Sequence, residues 1–156
     1  MRSSVPFPRR SLVACICLAG IVPASAASLG PLVTEEEVRL EMAAPRPRQL
    51  RAMSDPLDPR IEVQLPDTSH VLARPVSFRV IFQPAAGAAI VVSSFHATYG
   101  FLGIDITSRL LQRARLSATE LVADAVDIPR GQHRVTLEIA DSLGRKGRRT
   151  FVFEVA

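Results

Sequence analysis

The chain has 156 residues, with 19 Lys plus Arg against 15 Asp plus Glu, a formal charge of +4, two cysteines and no tryptophan. Arg2, Arg9, Arg10 and both cysteines (Cys15, Cys17) fall in the first 26 residues, so the remainder carries 16 basic against 15 acidic residues and no thiol. These figures exclude a disulfide-held product, and they argue against nucleic-acid binding, which needs cations clustered on one surface.

The first 26 residues have the order of a secretory signal. Arg2, Arg9 and Arg10 supply charge, Leu12 to Val22 the apolar run, and Ala24 and Ala26 the small side chains at a cut after Ala26 or Ala27. Ser11 to Ala26 is shorter than the ~20 apolar residues a bilayer span needs and is broken by Pro23, so no transmembrane span is expected in the mature protein. Leu12-Val13-Ala14-Cys15 has the composition of a lipidation box, but most of the apolar run follows Cys15 instead of preceding it. Arg9-Arg10 is compatible with a twin-arginine signal, although a Sec-type leader explains the pair equally and is favoured here. The expected destination is the periplasm or the cell exterior.

Residues 27–59 read as an arm. Thr34-Glu35-Glu36-Glu37 fits a capping box that opens a short helix, with Val33, Val38 and Met42 as its apolar stripe and Pro45 as its end. A helix of ~10 residues is too short to persist alone, so it must dock or stay largely unfolded. The three glutamates complement the helix dipole and are not read as a metal site. Pro45-Arg46-Pro47-Arg48 and Asp55-Pro56-Leu57-Asp58-Pro59 then form a proline-rich linker.

From residue 60 to 156 the hydrophobic period is two. Ile61, Val63 and Leu65 alternate with polar neighbours, as do Val76, Phe78, Val80 and Phe82, then Phe95, Ala97 and Tyr99, then Leu102, Ile104 and Ile106. Leu121 to Ile128 is read as a strand ended by Pro129, despite a helix-like lead-in at Ala118-Thr119-Glu120. Val135, Leu137 and Ile139 pair with Phe151, Phe153 and Val155 across Asp141-Ser142-Leu143-Gly144, a hairpin. About seven short strands predict an all-β antiparallel sandwich over residues 60–156, whose inward Val, Ile, Leu and Phe at ~1.5–3 kcal/mol each hold it by packing alone.

The stretch Ile128-Pro129-Arg130-Gly131-Gln132-His133-Arg134-Val135 through Asp141-Ser142-Leu143-Gly144-Arg145 resembles the last hairpin of bacterial immunoglobulin-like domains. Arg60-Ile61-Glu62-Val63 and Pro75-Val76-Ser77-Phe78 are similar to the first two strands of such domains, although the antibody cysteine pair and tryptophan are missing. The resemblance implies an immunoglobulin-like sandwich and says little about ligand. Within it, Gly131 permits the turn into the strand, and His133 stands where these folds place a tyrosine that ties the corner to nearby backbone. Asp141 is expected to accept amides across the turn, with Gly144 at positive φ.

Chemistry is sparse. His70, His96 and His133 lie too far apart for a local metal motif, and no nucleophile elbow surrounds a serine, so no cofactor, metal or enzymatic activity is expected. Asp105, Thr107 and Arg109 form the most distinctive polar cluster; the plainer reading has the first two capping a turn while Arg109 pairs with an acid. Arg145, Lys146, Arg148 and Arg149 at the final hairpin are candidate contacts for an envelope glycan or an anionic lipid surface, against a solvated tip that discourages edge pairing. The leading expectation is a non-enzymatic binding or structural module contacting a protein partner through strand edges or loops. A glycan- or polyanion-binding accessory protein using the basic hairpin is the alternative, and a metal-binding periplasmic protein the third.

Overall fold

A computed structural model describes residues 30–45 and 55–156. The expected leader and the Arg46–Ser54 part of the linker lie outside these described residues. In chain order the elements are α1 (Glu35–Ala43), β1 (Arg60–Leu65), β2 (Val71–Leu72), β3 (Val76–Gln83), β4 (Ile90–Tyr99), β5 (Ile104–Asp105), α2 (Thr107–Leu111), β6 (Ala114–Leu116), β7 (Glu120–Val126), β8 (Gly131–Asp141) and β9 (Lys146–Val155).

Two sheets form, with strand orders β1-β3-β7-β6 and β2-β9-β8-β4-β5. All pairings are antiparallel except β2 with β9. The first order is the A-B-E-D sheet of an immunoglobulin domain and the second carries its G-F-C sheet, so the chain is an immunoglobulin-like β-sandwich. Period-two patterning does the building: Val76, Phe78, Val80 and Phe82 of β3 point inward, and His133, Val135, Leu137, Ile139 and Asp141 of β8 face them. Edge-on rings pack between the two sheets, with Phe78 5.7 Å from Phe153 and Phe82 6.1 Å from Phe95.

Register shifts in three pairings explain where alternation fails. In β1, the two steps from Val63 to Leu65 face one on β3, and Leu65, expected to alternate inward, is exposed. Opposite Val76 and Phe78 of β3 stand Val126 and Ala123 of β7, so β7 carries an extra residue, accommodated by Ala125 at φ 52. In β4, five steps from Val91 to His96 face two on β8, and Ser94 fills the break: its hydroxyl donates to Val91 O (2.5 Å) and accepts from Ala140 N (2.7 Å).

Three expectations change. The run Leu102, Ile104, Ile106 is not one strand: Gly100 and Gly103 turn the chain at φ 75 and 66, β5 lasts two residues, and α2 follows. Ile106 and Leu110 are buried four apart along a helical turn, whereas Leu102 is exposed. Among the described residues nine strands replace about seven, because β2 and β6 are too short to show a period. In α1 the buried positions are Val38 and Glu41, while Met42, expected in the apolar stripe, is 73% exposed.

The arm is part of the packed unit. Leu32 and Val33 are almost completely buried in the main core, Val38 joins them, and Leu32 N donates to Asp127 O. The boundary expected at residue 60 therefore does not coincide with the edge of the core.

Candidate functional site

The densest polar arrangement sits where α1 closes one end of the sandwich. Thr34 and Glu37 form the anticipated capping box: Glu37 N donates to Thr34 Oγ1 (3.2 Å), and Thr34 N donates to Glu37 Oε2 (2.8 Å). The same carboxylate accepts both Arg109 Nη1 (2.9 Å) and Nη2 (2.8 Å), a bidentate pair between arm and α2. Hydrogen bonding from Arg109 outweighs the opposing effect of burial and lowers the Glu37 carboxyl from 4.5 to about 2. Its partner Arg109 is shifted upward, chiefly through its hydrogen bonds to Glu37.

Asp105 Oδ1 accepts Thr107 N (2.8 Å), and the Thr107 hydroxyl bridges back to β4, accepting from Ala97 N (2.9 Å). The Thr107 hydroxyl and amide, in that order, hold the Asp105 carboxyl below its ordinary value. Asp105, Thr107 and Arg109 are thus brought to one corner, but each is engaged in a turn, a strand tie or the arm clasp.

One turn along α1, the Glu41 carboxylate accepts Phe101 N, with both oxygens 2.7 Å away. Gly100 makes this possible: it lies at φ 75, and a Cβ there would collide with the Glu41 carboxylate. Beneath it, Tyr99 and His133 meet at 3.0 Å through the hydroxyl and Nδ1, and His133 Nε2 lies 2.8 Å from Pro129 O. A carbonyl can only accept, so Nε2 carries the proton and Nδ1 accepts from the tyrosine hydroxyl. His133 thus ties a β8 residue to backbone four positions upstream, as a corner tyrosine does. Burial pushes the imidazole pKa down despite the Pro129 bond. The Tyr99 hydroxyl is pushed up to about 12, first by burial and then by the charges of Glu41 and Glu37.

The final hairpin is less bare than its sequence. The buried Asp141 carboxylate accepts Leu143 N (2.9 Å), Arg145 N (3.1 Å) and Arg145 Nε (2.7 Å), while Gly144 turns at φ 79 and Gly131 at φ 121. Burial opposes the charge, yet the Arg145 guanidinium and these amides hold the Asp141 pKa below its ordinary value. Lys146 and Arg148 both stand 3.6 Å from Glu138. Three of the four hairpin cations, Arg145, Lys146 and Arg148, thus have a carboxylate beside them; Arg149 opens onto a cleft shared with Asp55, Asp58 and Glu62.

The histidines occupy three separate places. His70 lies in an exposed turn where its Nδ1 meets both Ser69 Oγ (2.8 Å) and Asp67 Oδ2 (3.3 Å). A proton relay needs the acid and the nucleophile on opposite ring nitrogens, so this trio is a turn and not a triad. His96 Nε2 is 3.5 Å from Asp105 on the surface, and His133 is in the core. Among the described residues no three His, Cys, Asp or Glu side chains gather as for a metal, and no helix is long and apolar enough to cross a membrane. The interior keeps an apolar void of about 10 Å³, lined by Leu32 and core residues such as Phe78, Val135 and Phe151.

Two surface features had no sequence signal. β5 pairs with only Thr98 and Tyr99 of β4, leaving the outer edge from Ile90 to His96 without a neighbouring strand among the described residues. A groove between α1 and the turns at Arg74 and Arg130 gathers residues distant in sequence. Neither follows from local pattern, because each depends on which strands end up outermost.

No protein-family model matches the chain, and no curated protein is significantly similar to it. A solved structure described as murine CRIg is similar at 13% identity over 62% of this chain and 95% of that one, with a TM-score of 0.35.

Proposed function

We propose that the protein is an exported, non-enzymatic binding module that contacts a protein partner by strand addition along β4. The observation that carries this reading is the open edge from Ile90 to His96 beside a two-residue β5. An edge offers unpaired backbone groups that an extended segment satisfies, with alternate side chains supplying selectivity. The leader-like residues 1–26 support export to the periplasm or cell exterior. The polar clusters support a non-catalytic role, because the hydroxyl, imidazole and carboxylates at the arm-closed end are spent on structural bonds.

Glycan or polyanion binding through the hairpin is the weaker reading, since carboxylates already accompany Arg145, Lys146 and Arg148. Photocross-linkers placed at Ser93 and, separately, at Lys146 test the two. Strand addition predicts a discrete adduct from Ser93 that survives a rise from about 0.1 M to about 0.5 M salt. An adduct formed from Lys146 alone, or one that disappears with salt, refutes it.

A further inference from the structure

We propose that the groove between α1 and the turns at Arg74 and Arg130 binds a small anionic amphiphile, a carboxylate or phosphate head on a short apolar tail. Its floor is apolar, made by Val38 and Met42 of α1 and by Pro129, and Met42 lies open to solvent there. Around that floor stand three guanidiniums from three parts of the chain: Arg39, Arg74 and Arg130. Among the described residues none of the three is ion-paired, whereas Arg79, Arg109, Arg145 and Arg148 each have a carboxylate within 4 Å. The one acid at the groove is Glu35.

Charge complementarity fixes the head. Guanidiniums present paired donors that match carboxylate and phosphate oxygens, and three of them around one opening leave positive charge that only an anion offsets. The floor fixes the tail, because the exposed thioether of Met42 is an adaptable apolar surface. Arg39 and Met42 come from the arm, while Arg74, Pro129 and Arg130 come from the sandwich. A ligand there bridges the two and favours the docked arm, since whatever binds the docked state alone stabilises it. The site is separate from the β4 edge, so its failure leaves that reading intact.

The probes are decyl phosphate below its micelle concentration, inorganic phosphate, and decyltrimethylammonium, each titrated into the protein while the Met42 methyl resonance is followed. Decyl phosphate should saturate at least about tenfold more tightly than phosphate alone, and the cationic amphiphile should leave Met42 unmoved. Changing Arg39, Arg74 and Arg130 together to Gln should weaken decyl phosphate by at least about tenfold. Gln at Lys146, Arg148 and Arg149 should change it by less than about twofold, and Glu35→Gln should tighten it. The Phe101 amide, which senses Glu41, reports that α1 remains docked in each variant. Equal binding of the cationic amphiphile, equal binding of phosphate alone, or undiminished affinity in the triple variant with α1 docked overturns the proposal.

Discussion

Glu37→Gln isolates the clasp between arm and sandwich. Glutamine can still reach back to the Thr34 amide, so the capping box survives while the charge facing Arg109 is removed. The drop of the Glu37 carboxyl from 4.5 to about 2 corresponds to about 3 kcal/mol, at about 1.4 kcal/mol per unit. The two side chains are 18% and 29% exposed, and solvent screening reduces such a pair, so the substitution should cost about 1–3 kcal/mol near neutrality. Because the folded pKa lies below the unfolded one, this stability is complete above 4.5 and drains away as pH falls toward about 2. Urea unfolding of the wild type, Glu37→Gln, Arg109→Gln and the double variant gives the coupling directly. A coupling of about 1–2 kcal/mol that shrinks with acid is expected. A value under about 0.3 kcal/mol, or one indifferent to pH, would refute the reasoning.

His133→Phe keeps the ring but loses the Tyr99 and Pro129 bonds, and should lower unfolding free energy by about 1–3 kcal/mol. Since burial holds the folded imidazole below 6.5, wild-type stability should decline as pH falls through 6.5, and the variant should lack that component of the slope in denaturant melts. Gly100→Ala forces a side chain at φ 75 into the Glu41 carboxylate; unfolding measurements should show a loss of about 2 kcal/mol or more, reduced when Glu41→Ala removes the obstacle. Leu32→Ala should cost about 2–5 kcal/mol in the same assay, the price of a core position although it lies in the arm.

The strands that were legible in the sequence are the long ones buried on one face. In β3, β8 and β9 most inward positions are Val, Leu, Ile, Phe or His, with Asp141 and Gly147 as the exceptions at the last hairpin, and the pleat transmits that rhythm to the chain. The corner at His133 and the Asp141 turn were readable for the same reason, since one side chain satisfies backbone a few residues away. Asp105, Thr107 and Arg109 were visible as a polar cluster, and the turn-capping role of Asp105 follows from its spacing, but the Thr107 hydroxyl bonds Ala97 of β4 instead of capping, and the acid facing Arg109 lies 72 residues earlier. What remained hidden depends on distant pairing. Glu41 looks like an exposed helix residue until Phe101 N is placed beside it, and Leu102 looks like a strand residue until two glycines turn the chain.

The central claim is that the arm from Leu32 to Ala43 folds as one unit with the sandwich, leaving the β4 edge and the arginine groove as the surfaces available for binding. Native-state amide exchange tests it most directly. The amides of Val38 and Phe101, which donate to Thr34 O and Glu41, should share the protection of Val135 and Leu137 in β8. Exchange of Val38 and Phe101 at unprotected rates while β8 remains protected would contradict the account.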